Sequence, residues 1–146
     1  MQRPAIPFTP NLREDTMPLV RIDISHDAPP TLGRDIGQLI YAAMTDLINV
    51  PADDKFQIIA RHGQGELVFP ASYLGVEYSP GIVFIQITLN QGRSIELKKA
   101  FYKRVADDLH ARLGVRRQDV FINLIEVAKE NWSFGNGEMQ YAPAPG

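Results

Sequence analysis

Cysteine is absent from all 146 residues. That excludes a disulfide framework and any thiolate metal site, and it fits a reducing compartment. Long apolar runs are absent too, since none approaches the roughly 18 residues that span a bilayer. The first 16 residues, interrupted by Pro4, Pro7 and Pro10, lack the apolar segment of a secretory signal. Nor is there an excess of positive charge: the formal net charge is −2 and no Lys/Arg stripe recurs at helical spacing. A nucleic-acid platform is therefore not expected. These absences leave a cytoplasmic chain of one domain's length, without membrane or nucleic-acid partners.

Several catalytic signatures are missing as well. His26, His62 and His110 are scattered, with no HExxH pair, so no metal site is expected. His110 reads as part of a solvated helix face. Gly63-x-Gly65 and Gly135-x-Gly137 do not join a strand to a helix and read as turns, not phosphate loops. No Gly-x-Ser-x-Gly elbow occurs, which argues against a serine hydrolase.

What is present is a weak internal repeat at an offset of 65 residues. The strand-like run Leu19-Val20-Arg21-Ile22-Asp23-Ile24 corresponds to Phe84-Ile85-Gln86-Ile87-Thr88-Leu89. The helical stripe Leu32, Ile36, Ile40 falls on Leu97, Phe101, Val105. Asn49-Val50 then matches Gly114-Val115, Asp54 matches Asp119, and Phe56 matches Phe121, each opening another apolar strand. Thr31 and Ser94 suit N-caps, and Gly114 suits the C-terminal cap of the second helix.

Two β-α-β units are therefore expected in an α+β fold, forming a four-stranded sheet with both helices on one face. Residues 63–80 read as a loop with a short β-excursion, and 132–141 as a hairpin turning at Gly135-Asn136-Gly137. The uncovered sheet face carries Arg21 and Asp23 and needs partial cover, which a small oligomer supplies. Residues 1–16 read as an irregular leader and 17–146 as one domain.

Met17-Pro18 stands directly before the first strand. Within a chain, the proline nitrogen is an amide. As a chain's first residue, Pro18 would carry a secondary amine, and the reference α-amino pKa of roughly 7.7–8.0 makes such a group a base near neutral pH. Arg93 sits just before the N-cap Ser94, where a guanidinium beside free helix N–H groups favours a carboxylate or enolate; an ordinary loop arginine fits equally. Trp132 and Phe134 share one side of an extended segment, as core or as a ligand wall. Asp54 precedes a strand and reads as either a turn residue or a site residue.

Together these residues resemble the tautomerase superfamily, in the branch that contains malonate semialdehyde decarboxylase. The stretches that carry the resemblance are Met-Pro-Leu-Val at 17–20, Val-Pro-Ala-Asp-Asp-Lys-Phe-Gln at 50–57, Gln-Gly-Arg-Ser at 91–94 and Trp-Ser-Phe-Gly-Asn-Gly at 132–137. The resemblance implies a homotrimer, and a catalytic amino-terminal proline at Pro18 once Met17 is removed. It implies a water- or substrate-orienting aspartate at Asp54. Of the family branch's two substrate-holding arginines, the second falls on Arg93 and the first on Gln91. The aromatic pocket falls on Trp132, Phe134 and Tyr141, the last in place of a phenylalanine.

The expected function is a keto–enol tautomerase of a small 2-oxo or enol carboxylic acid, needing no metal or organic cofactor. One alternative is a cofactor-free decarboxylase or hydratase of a 3-oxo acid such as malonate semialdehyde. Gln91 removes one positive charge and weighs against it. The other alternative, if residues 1–16 stay attached, is a catalytically silent trimeric binding protein.

Overall fold

A computed structural model describes residues 17–51 and 53–142; residues 1–16, 52 and 143–146 lie outside the described part. The chain runs β1 (Pro18–Ser25), α1 (Leu32–Ile48), β2 (Phe56–His62), two short strands β3 (Ser72–Tyr73) and β4 (Val76–Glu77), β5 (Val83–Asn90), α2 (Ile95–Leu113) and β6 (Val120–Val127). Single 3-10 turns occupy Arg117–Asp119 and Lys129–Asn131. The four long strands form one sheet in the order β2-β1-β5-β6. β1 pairs parallel with β2, antiparallel with β5, and β5 pairs parallel with β6. The sheet is thus two parallel β-α-β units joined back to back through β1 and β5.

The repeat in the sequence is a repeat in space. β1 and β5 begin and end at the same offset of 65 residues. Each strand alternates, and its inward set packs under the helices: Val20, Ile22 and Ile24 from β1, Val83, Ile85, Ile87 and Leu89 from β5. Ile36, Ile40, Phe101 and Val105 meet them from the helices, all at most 2% exposed. Burial of a side chain of this kind is worth about 1.5–3 kcal/mol, so this layer is the main source of stability.

Cap geometry follows the repeat as well. Asn49 ends α1 at φ 58° and Gly114 ends α2 at φ 72°, the left-handed conformation that asparagine and glycine tolerate best. Ser94 caps α2 by accepting the Leu97 N–H at 3.1 Å. Thr31 differs from expectation. It occupies the N-cap position of α1, but its hydroxyl donates to Asp35 at 3.1 Å instead of accepting a helix N–H. The cause is backbone geometry: a turn closed by the Leu32 N–H on the Pro29 carbonyl already holds Thr31 near helical angles (φ −97°, ψ −1°).

α1 lies unusually close to β2. A Cβ on Gly37 would fall 2.3 Å from the Gln57 side-chain oxygen, and one on Gly33 2.4 Å from an Ile59 methyl. The Gln57 amide donates to the Gly37 carbonyl at 2.9 Å, fixing that approach.

The loop at 63–80 contains the expected β-excursion, the β3-β4 pair. The C-terminal segment turns where expected, with Gly135, Asn136 and Gly137 all at positive φ. Its flanks do not pair as strands among the described residues; side chains hold it, the Phe134 N–H donating to Gln140 at 2.8 Å and the Gln140 amide to the Gly135 carbonyl at 2.9 Å.

The sheet face away from the helices is open. Across it run the rows Phe56–Leu19–Thr88–Ile125, Ile58–Arg21–Gln86–Asn123 and Ala60–Asp23–Phe84–Phe121. A polar middle row is thus flanked by two largely apolar ones, and Phe56, Ile58, Phe121 and Ile125 are each at least 40% exposed. Asp23 binds Arg21 at 3.0 Å and His62 at 2.6 Å on this face. Burial pushes the Asp23 carboxyl up, but the hydrogen bonds and charges of His62 and Arg21 outweigh it and hold it below the usual carboxylate range. Among the described residues no helix is long and apolar enough to cross a membrane.

Candidate functional site

Strand direction gathers the candidate residues at one end of the sheet. β1 and β2 begin there, with Pro18 and Phe56, while β5 and β6 finish there, with Asn90 and Val127. Pro18 pairs with Leu89, one residue before Asn90, and is itself buried. In this chain its nitrogen is an amide bonded to Met17, a residue only 6% exposed.

Past Asn90 the chain turns sharply. The Gln91 N–H donates to the Val127 carbonyl at 3.0 Å, and Gly92 adopts φ 125°, a conformation that only glycine takes without strain. This turn sends the Arg93 guanidinium back to the Asn90 carbonyl, to which it donates. Its aliphatic stem lines a narrow crevice with Ile48, Leu89, Leu97, Lys98 and Leu124. Arg93 is therefore half-buried, its guanidinium held at Asn90, one residue along from the strand partner of Pro18. Gln91 is exposed on the same turn.

The aromatic wall stands on the other side of Asn90. The Trp132 indole donates to the Asn90 amide oxygen at 2.7 Å. Phe134 stacks on Trp132 (centroids 5.5 Å, planes 21° apart), and Tyr141 meets Phe134 edge-on at 5.1 Å. Phe134 remains 39% exposed, so this wall is partly uncovered in the single chain.

Asp54 lies two residues before Phe56, the first paired residue of β2, and is 8% exposed. Its N–H donates to the Pro51 carbonyl at 3.1 Å, and the same carbonyl accepts the Tyr41 hydroxyl. Burial, with the nearby Asp54 carboxylate adding to it, pushes the Tyr41 phenol above its ordinary range. Lys55, one residue on, lies 5.6 Å from the centre of the Tyr41 ring.

The fold therefore brings Pro18, Asp54, Gln91, Arg93, Trp132, Phe134 and Tyr141 to one end of the sheet. Two further residues there escape the sequence reading. Asn90, 2% exposed, links the guanidinium to the indole. Glu126 lies beneath the Gly92 turn. One signal pointed to Glu126: it is a charge on the strand parity otherwise held by Val120, Ile122 and Leu124. Among the described residues no group of three or more His, Asp or Glu side chains could hold a metal ion.

Comparison with known proteins adds the family context. The family described as "Tautomerase enzyme" matches residues 54–135. A probable tautomerase of Bacillus subtilis, YusQ, is 40% identical over 124 residues, 85% of this chain and 98% of that one. The crystal structure of FG41 malonate semialdehyde decarboxylase inhibited by 3-bromopropiolate is 35% identical, with a TM-score of 0.76 over 84% of this chain and 93% of that one. A fused 4-OT symmetric trimer shares the fold at 21% identity and a TM-score of 0.66, covering 82% of this chain and 94% of that one.

Proposed function

The chain belongs to the tautomerase family, and we propose that it interconverts the keto and enol forms of a small 2-oxo carboxylic acid, with the amino group of a processed Pro18 as base. The observation that carries this reading is the convergence on Asn90: its carbonyl receives the Arg93 guanidinium, its amide oxygen receives the Trp132 indole, and the residue before it pairs with Pro18. A cation for a carboxylate, an apolar wall and the position of a basic amine then lie around one point.

The proposed chemistry is a proton transfer. Neutral Pro18 nitrogen takes a proton from the carbon next to the carbonyl. The C–H electron pair becomes the new carbon–carbon double bond, and the carbonyl pair moves onto oxygen, which is then protonated. The reverse sequence returns the keto acid. Arg93 holds the carboxylate or the developing enolate oxygen, where one well-placed group contributes about 3–4 kcal/mol. Base catalysis adds roughly 10²–10⁴-fold. Trp132 and Phe134 shield the site from water.

This reading requires removal of residues 1–17. The open sheet face and the half-covered aromatic wall support an oligomer, which we take to be a homotrimer acting in the cytoplasm.

Decarboxylation or hydration of a 3-oxo acid is the second reading, favoured by the likeness to malonate semialdehyde decarboxylase. There Pro18 works protonated, polarising the carbonyl, and Asp54 matters most for the hydration. Gln91, with no positive charge, favours the tautomerase. A retained leader would instead leave a silent binding protein.

The test uses protein beginning at Pro18, assayed for ketonisation of an arylpyruvate enol by loss of ultraviolet absorbance. Pro18→Ala and Arg93→Ala are each expected to abolish most turnover. Near-full activity in either variant removes that residue from the mechanism.

A further inference from the structure

We propose that Glu126, neutralised by Lys98, is the positioning residue that holds the Gly92–Arg93 turn and so aims the guanidinium at the substrate carboxylate. The proposal rests on the tautomerase reading for its kinetic consequences, but its geometry stands apart from it. Glu126 lies on the helix-facing side of β6, one residue before the strand ends. One carboxylate oxygen accepts the Gly92 N–H at 3.3 Å, and the other accepts the Lys98 ammonium at 2.7 Å. Lys98 stands in the first turn of α2, so the carboxylate joins β6, the turn and the helix start. The Arg93 N–H is directed at the same group, and Lys98, followed by these backbone donors, holds the Glu126 carboxyl below its ordinary range despite partial burial.

The arrangement solves two problems at once. Gly92 at φ 125° has little side-chain packing of its own, so the direction of the next residue depends on what its N–H meets. A carboxylate accepting successive N–H groups is the strongest fixed acceptor available. Left alone, however, it would cancel the Arg93 charge toward an anionic substrate. Lys98 balances it, and the group of Glu126, Lys98 and Arg93 retains one net positive charge for the ligand. The Arg93 guanidinium donates to the Asn90 carbonyl, a neutral acceptor.

Glu126→Ala removes both the acceptor and the charge; Glu126→Gln keeps an acceptor for the turn. In the processed enzyme Glu126→Ala is expected to raise KM for an arylpyruvate enol about tenfold or more with a smaller change in kcat, and Glu126→Gln to recover most of that loss. Lys98→Met, which leaves the carboxylate unbalanced, is expected to raise KM in a salt-dependent way. A purely structural role predicts lower melting temperatures with KM unmoved, and that result overturns the proposal. A second measurement is independent of turnover. Amide NMR signals of Gly92 and Arg93 should titrate together at a pH below the ordinary glutamate range, and Glu126→Gln should abolish the titration. Signals that do not move in the wild-type protein overturn the proposal even if the enzyme proves active. Signals that titrate in a protein without tautomerase activity leave the positioning role intact and overturn only the substrate reading.

Discussion

The indole N–H of Trp132 donates to the Asn90 amide oxygen at 2.7 Å, so the aromatic wall of the site is fixed to the same residue that receives the Arg93 guanidinium. Trp132→Phe keeps an aromatic ring but deletes this donor. The expected cost is about 1 kcal/mol of stability, the usual net worth of one hydrogen bond. KM should rise while the pH profile keeps its midpoint. A profile that shifts in this variant would show that the indole acts on the base rather than on the wall.

Catalysis by a neutral secondary amine has a definite sign with pH. For protein starting at Pro18, turnover of the enol acid should increase with pH as the amine loses its proton, reaching a plateau above the amine pKa; the α-amino reference is roughly 7.7–8.0. A decarboxylase using the protonated amine behaves in the opposite sense. The pH dependence of kcat/KM, measured with both an enol acid and a 3-oxo acid, separates the two readings.

The Asp23 carboxyl, held below its usual range by His62 and Arg21, makes stability pH-dependent on the open face. A carboxyl whose folded pKa is depressed contributes stability above the unfolded pKa and loses it as pH falls through the folded one. Asp23→Asn should therefore destabilise the protein at neutral pH, with the difference from wild type vanishing in acid below the carboxylate range. Urea unfolding at fixed protein concentration measures this, because any oligomer on this face makes stability concentration-dependent. A difference that persists unchanged in acid contradicts the charge argument.

Gly37→Ala tests the close approach of α1 to β2. The new methyl would meet the Gln57 side-chain oxygen at 2.3 Å, and Gln57 cannot swing away without losing its bond to the Gly37 carbonyl. Overpacking costs about 1–3 kcal/mol, against a gain of about 1 kcal/mol for alanine over glycine within a helix. Net destabilisation is expected, and denaturant midpoints decide it. A stabilised variant would mean that the helix is free to move outward.

The fold was readable because each half of the chain solves the same problem twice. Alternation in Leu19–Ile24 and Phe84–Leu89 marks the central strands, and the 65-residue offset aligns helices, caps and outer strands without knowledge of their contacts. Candidate site residues could be named where they stand next to such landmarks: Pro18 before a strand, Arg93 before a cap. Asn90 and Glu126 were harder, because their importance arises from cross-strand register and from a turn that folds Arg93 backward, neither of which shows in local spacing. The unpaired flanks of the 135–137 turn have a similar origin. A glycine-rich turn predicts a reversal, but strands also need open edges beside them, and side-chain bonds from Gln140 hold this segment instead.

The central claim concerns the nitrogen of Pro18, and the most direct measurement compares enol-acid turnover by two mass-verified proteins, one spanning residues 18–146 and one spanning 1–146. The account predicts turnover by the first, lost on Pro18→Ala, and none by the second. Equal turnover by the full-length chain, with residues 1–17 still attached by mass, would contradict it, because the lone pair of an acylated proline nitrogen is delocalised into the amide and is not basic.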